Sequence, residues 1–137
     1  KEHKEIEKKL ELTRQELVDP LRTRITQEVI QLFEKQSNIA AIRWTQYTPY
    51  FNDGEVCEFR VNELEFRLDG KEYKRDYDWD YFGYKIQNDP ENAPLAEFGK
   101  TLNSRPDDIM SAIFGDGVQI LYKRGDTALT VNYYDHD

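Results

Sequence analysis

The chain has 137 residues, 27 acidic and 19 basic side chains, a formal charge of −8, and Cys57 as its single cysteine. That length suits one domain with an appendage, able to bury a core without staples, while a lone cysteine excludes an internal disulfide framework and a multi-cysteine zinc site. Residues 1–36 carry eight charges of each sign and the remainder 11 basic against 19 acidic, so long-range attraction to DNA, RNA or an anionic membrane is disfavoured.

Cys57 reads as a small half-buried apolar residue in a reducing compartment. No run approaches the roughly 18 apolar residues of a membrane span, and no signal-peptide pattern is present. A soluble protein of the cytoplasm is expected. A small anionic ligand remains compatible with the negative field if local arginines and backbone donors hold it.

Residues 2–18 are rich in Glu, Lys, Arg and Leu, with Ile6, Leu10, Leu17 and Leu21 at helical spacing and Glu5 four before Lys9. An amphipathic helix is expected there. Asp19 and Pro20 suit an N-cap followed by proline at the first helical position, which opens a second helix to about residue 35; alternatively Pro20 kinks one long helix. In either case the first segment has too narrow an apolar stripe for a private core. It is expected to pack on another copy of itself or on the following helix, which makes residues 1–36 an oligomerising arm and 37–137 the compact domain.

From Ala40 the apolar pattern changes to period two, and residues 44–54 run from a strand into a loop that carries Tyr47, Tyr50 and Phe51. Pro49 holds Thr48 extended, and Asn52, Asp53 and Gly54 offer a tight turn. After the turn the apolar set falls on odd positions, Cys57, Phe59 and Val61, and then on even ones, Leu64, Phe66 and Leu68. A flat strand would turn half of these to water, so the pattern predicts a bulge at or near Asn62. Asp69 and Gly70 give a hairpin signal, with residues 71–75 as the returning strand.

Residues 76–84 interleave rings with carboxylates. Asp76, Asp78 and Asp80 invite a calcium reading, but Tyr81 and Gln87 stand where an EF-hand loop needs glycine and glutamate. The same segment suits a half-buried strand, or a loop that stacks a ring on a base and accepts ribose hydroxyls. A helix is expected over residues 92–102 with Leu95, Phe98 and Leu102 inward. A second is expected to end near Phe114, capped by Ser104 with Asp107, with Ile109, Met110, Ile113 and Phe114 reaching the core. A closing hairpin, residues 118–123 and 127–134 around Arg124, Gly125 and Asp126, completes an α+β domain: helical arm, antiparallel sheet, two short helices and a hairpin.

His3 and His136 lie at the ends of the sequence, which leaves acid–base chemistry to carboxylates, Tyr or Lys. Phosphate loops and dinucleotide fingerprints are lacking. A binding protein is favoured over an enzyme, and no cofactor is called for. Arg43, Arg60, Arg67, Arg75, Arg105 and Arg124 are candidate phosphate contacts. Arg105 stands out because it precedes Pro106 at a helix start, where backbone N–H groups favour anions. Arg22 and Arg24 lie near the first turn of the expected second helix and would converge with symmetry mates in an oligomer.

Residues 44–59 read Trp-Thr-Gln-Tyr-Thr-Pro-Tyr-Phe-Asn-Asp-Gly-Glu-Val-Cys-Glu-Phe. This run resembles the central motif of small phage-encoded proteins, and with the helical arm ahead of it the layout is similar to the phage anti-Thoeris sponge family. The resemblance implies a non-enzymatic protein that sequesters the cyclic ADP-ribose signal of bacterial TIR-domain immune enzymes inside the host cell. It also implies a dimer or higher homo-oligomer, and leaves room for separate pockets that take cyclic di- or trinucleotides. By type and order it makes Phe82 an adenine-stacking ring and Asn92 a polar contact. A basic residue is expected near position 57, where this chain has Cys57, so one phosphate contact departs from the pattern. Two other readings stay open: a module that inhibits a host protein by direct contact, and a carboxylate-dependent nucleotide hydrolase using Asp107 or Asp78.

Overall fold

The computed structural model describes residues 2–49, 57–70, 79–81 and 89–134, with residues 2–18 as backbone alone. The expectations for Tyr50, Phe51, residues 71–75, Asp76, Asp78 and Phe82 lie outside the described residues.

The chain begins with one continuous helix, α1 (Glu2–Lys35), which passes through Pro20. Proline cannot donate to the carbonyl of Glu16 and costs about 3 kcal/mol in a helix interior. Of the two arrangements the sequence permits at Asp19 and Pro20, the single helix forms. Its last turns place Ile25, Val29, Leu32 and Phe33, at i, i+4, i+7 and i+8, in the same core as the sheet.

Strand β1 (Ile39–Tyr47) is central, flanked on one side by β2 (Arg60–Val61) and β3 (Glu65–Leu68) and on the other by β5 (Val118–Lys123). Strand β4 (Asp80–Tyr81) pairs with β3 and β6 (Thr130–Tyr133) with β5, all antiparallel, in the order β4-β3-β1-β5-β6. The predicted bulge is present. Gln46 faces Val61 and Arg43 faces Glu65, so three steps on β1 oppose four on the partner segment. Asn62 holds the irregularity: its backbone N–H donates to Thr45 O at 2.9 Å and its Nδ2 to Thr45 Oγ1 at 3.0 Å. In consequence Leu64 and Phe66 are fully buried, and Phe59, Val61 and Leu68 pack against the same cluster.

A short 3-10 helix (Pro90–Asn92) leads into α2 (Ala93–Ser104), followed by α3 (Asp107–Phe114). Leu95, Phe98 and Leu102 are buried as the spacing predicts, and so are Met110, Ile113 and Phe114. Two expectations need correction. Ile109 is 38% exposed, in the first turn of α3. The Ser104 and Asp107 cap does not form, since Ser104 ends α2 and donates its hydroxyl to Thr101 O at 2.8 Å, while Pro106 occupies the N-cap of α3.

Phe33 meets Tyr122 edge-on at 4.8 Å and Trp44 meets Phe114 edge-on at 5.7 Å, so the helices lie on one sheet face. Arg124, at the β5–β6 turn, closes the end of α1. Its Nε donates to Ile39 O at 2.9 Å, Nη1 to Phe33 O at 3.1 Å and Nη2 to Gln36 O at 3.1 Å. A helix C-terminus leaves four carbonyls without intrahelical partners, and a planar guanidinium suits several at once. Among the described residues no helix is long and apolar enough to cross a membrane.

Candidate functional site

Where β1 leaves the sheet, Thr48 is fixed to the turn before β5. Its backbone N–H donates to Asp116 Oδ1 at 2.9 Å and its hydroxyl to Asp116 Oδ2 at 2.6 Å. The flanking glycines take positive φ, +99° at Gly115 and +74° at Gly117, which an L side chain would resist. Gly117 N–H donates to Gln46 O at 3.0 Å, and Tyr134 N–H to Gly117 O at 2.9 Å. Three chain segments far apart in sequence are thereby brought to one end of the sheet.

Behind them Gln46 is fully buried and satisfied. Its Nε2 donates to Met110 O at 2.9 Å and Gly115 O at 2.8 Å, and its Oε1 accepts from Trp44 Nε1 at 3.2 Å. A buried amide with every polar partner in place holds α3 and the Gly115 turn at one distance from β1.

The cavity at this end has a volume of about 380 Å³ and is lined by Thr48, Pro49, Cys57, Asp116, Gly117, Tyr133 and Tyr134. Tyr134 stacks on Tyr47 with centroids 5.8 Å apart and planes 29° from parallel, and Tyr133 is 79% exposed at the mouth. Asp116 is the one charged residue among the described lining residues. The wall therefore offers ring faces, hydroxyls and a carboxylate. Such groups suit a flat ring with hydrogen-bond donors at its edge.

Of the candidate contacts singled out in sequence, Asn92, Arg22, Arg24 and Arg105 stand elsewhere. Asn92 is buried, and its Oδ1 accepts from Gln36 Nε2 at 2.8 Å. Gln36 Oε1 in turn accepts from Leu95 N–H at 3.3 Å, so the end of α1 caps the start of α2. Arg105 pairs with Glu28, and its Nη1 is buried without a hydrogen-bond partner. Arg24, with its side chain 74% exposed, reaches the same Glu28 at 3.6 Å. Arg22 lies 5.5 Å from the Phe114 ring centroid. Arg24 and Arg105 thus meet through one carboxylate, apart from Asn92 and from Arg22. A second cavity of about 200 Å³ lies beside them between α1 and α2, with Glu28, Lys35 and Glu97 on its wall.

On the sheet face away from the helices, the guanidinium carbons of Arg43 and Arg67 each lie 4.4 Å from the centroid of Trp79, and Arg43 Nη2 bonds Glu65 at 3.2 Å. At the β5–β6 turn, burial pushes the Tyr122 hydroxyl above its ordinary value of 10.0; the Asp126 carboxylate adds to the rise and Arg124 opposes it. That hydroxyl donates to Asp126 O at 2.7 Å.

The cavity residues Asp116, Tyr133 and Tyr134 carry no site signal of their own in the sequence. The one local cue to this end of the sheet is the Gly115-Asp116-Gly117 run, a turn-forming sequence. No family, curated protein or solved structure matches the chain.

Proposed function

We propose that this protein binds a cyclic ADP-ribose-type nucleotide and holds it without degrading it, as a phage anti-defence sponge that lowers the free concentration of an immune signal. The observation that carries the reading is the position of the cavity. Thr48, Pro49 and Cys57, all within the run that resembles the anti-Thoeris sponges, line it together with Asp116, Gly117, Tyr133 and Tyr134. Stacking on such rings contributes roughly 1–3 kcal/mol per base. Phe82 and Asn92 keep the ligand-contact roles that the resemblance implies, and Arg22, Arg24 and Arg105 those of charged contacts, with the Glu28 pairing to be displaced at Arg24 and Arg105. Homo-oligomerisation through α1 belongs to the same proposal.

Calorimetry with cyclic ADP-ribose isomers and cyclic di- and trinucleotides tests it, followed by mass spectrometry of the ligand released on heating. Saturable binding with intact ligand recovered is expected. Conversion products would favour the hydrolase, and the absence of binding to every nucleotide would remove the reading. Direct inhibition of a host protein is the second reading. It is favoured by the length of α1, roughly 50 Å at 1.5 Å per residue, against described core residues confined to its last turns, Ile25 to Phe33.

A further inference from the structure

We infer that the cavity at the end of β1 is a nucleoside site: it takes an aromatic base with its sugar and leaves any phosphate outside. The inference rests on the proposed nucleotide-binding role and assigns the part of the ligand that this cavity encloses.

Two observations carry it. The first is size, since about 380 Å³ lies near the lower end of the roughly 300–1,000 Å³ typical of small-molecule sites. A base and a ribose fill such a space, whereas a complete cyclic dinucleotide overfills it. The second is charge. Tyr133, Tyr134 and Pro49 supply flat apolar surface, Thr48 and Asp116 supply oxygens, and no Lys or Arg stands among the described lining residues. A phosphate brought against Asp116 would meet a like charge with no Lys or Arg among the described lining residues to offset it. Ribose hydroxyls and an exocyclic amine are donors, and a carboxylate whose two oxygens each accept one bond from Thr48 retains lone pairs for them. Arg60 is the register partner of Tyr47 on β2 and stands outside the described lining of the cavity, while Arg43 and Arg67 flank Trp79 farther along the sheet.

The test is calorimetry on the full chain with adenosine, ADP-ribose and cyclic ADP-ribose at low and high salt. Adenosine is expected to bind within about fivefold of cyclic ADP-ribose, and its affinity to change less than about twofold with salt, because an uncharged ligand has no Coulomb attraction to screen. Tyr133→Ala, at an exposed position, should weaken adenosine roughly 5- to 150-fold through lost stacking. Tyr81→Ala, on β4 and outside the cavity, should leave it unchanged. Binding of the phosphate-bearing ligands without adenosine, steep salt dependence of adenosine, or an unaltered Tyr133→Ala would overturn the inference and leave the sponge reading standing. Failure of all three ligands to bind would overturn the inference, and failure of the other cyclic ADP-ribose isomers and of the cyclic di- and trinucleotides as well would overturn the sponge reading.

Discussion

Replacing Gln46 with glutamate alters one atom of a buried side chain, yet it reverses the polarity of two contacts. Nε2 donates to Met110 O and Gly115 O; a carboxylate oxygen there would confront both carbonyls with no proton between them. Met110 O keeps the intrahelical Phe114 N–H of α3, so one buried acceptor, Gly115 O, is orphaned at about 1–3 kcal/mol, and with the buried carboxylate's own desolvation the fold is destabilised by on the order of 4 kcal/mol. For a chain of this size that corresponds to a fall in Tm of roughly 12–16 °C. The pH dependence follows from the same contacts. Burial and two facing carbonyls raise the carboxyl pKa of Glu at position 46 in the folded state above the unfolded value of about 4.3. The protonated acid keeps one donor for one carbonyl, so the variant is closest to wild type below the unfolded pKa and loses ground as pH rises through the folded one. Urea titrations followed by circular dichroism at pH 4 and pH 7 measure both effects. A gap under about 1 kcal/mol at pH 7, against the cost expected for an orphaned acceptor and a buried carboxylate, or a gap that does not widen between the two pH values, would refute this account of Gln46.

Arg124→Ala should lower stability by about 2 kcal/mol, since three donors to carbonyls are lost but the side chain is solvent-exposed and water replaces part of their contribution. Arg124→Lys should fall between, and equal Tm values for all three proteins would show that the end of α1 needs no such closure. Tyr122 has a folded-state pKa above the ordinary 10.0, so the stability it contributes is complete below about pH 10 and declines as pH climbs further. In alkaline denaturation Tyr122→Phe should therefore lose less stability than wild type between pH 9 and pH 11, and parallel profiles would count against the assignment.

How much of this was readable beforehand depended on the range of the interactions. The bulge at Asn62 was legible because a side-chain period of two converts a one-residue insertion into a visible switch, from Phe59 and Val61 to Leu64 and Phe66. The apolar faces of α2 and α3 were legible for the same local reason. Asn92, Gln36, Gln46 and Arg124 were not, because a buried polar side chain reveals nothing about its role until its partner is known. Gln36 lies 56 positions from Asn92, and Arg124 lies 91 from Phe33. The cavity has the same character. Its walls at Thr48, Asp116 and Tyr133 become neighbours only once β1 is known to pair with β5, and β5 with β6. Pro20 shows the opposite limit, since its local signal permits both a new helix and a passage through an old one, and packing at Ile25 to Phe33 bears on the choice.

The central place of β1 has a consequence for synthesis. Its partner at Tyr122 is made 80 residues after Ile42. At a ribosomal rate of about 5–20 residues per second, one edge of β1 waits roughly 4–16 s for its neighbour. During that interval the Ile42 and Trp44 strand presents unpaired amides beside apolar surface, the combination that recruits other chains. The cavity lined by Tyr133 and Tyr134 cannot exist before β6 has left the ribosome, so the newborn protein is vulnerable to self-association before that end of the sheet is complete.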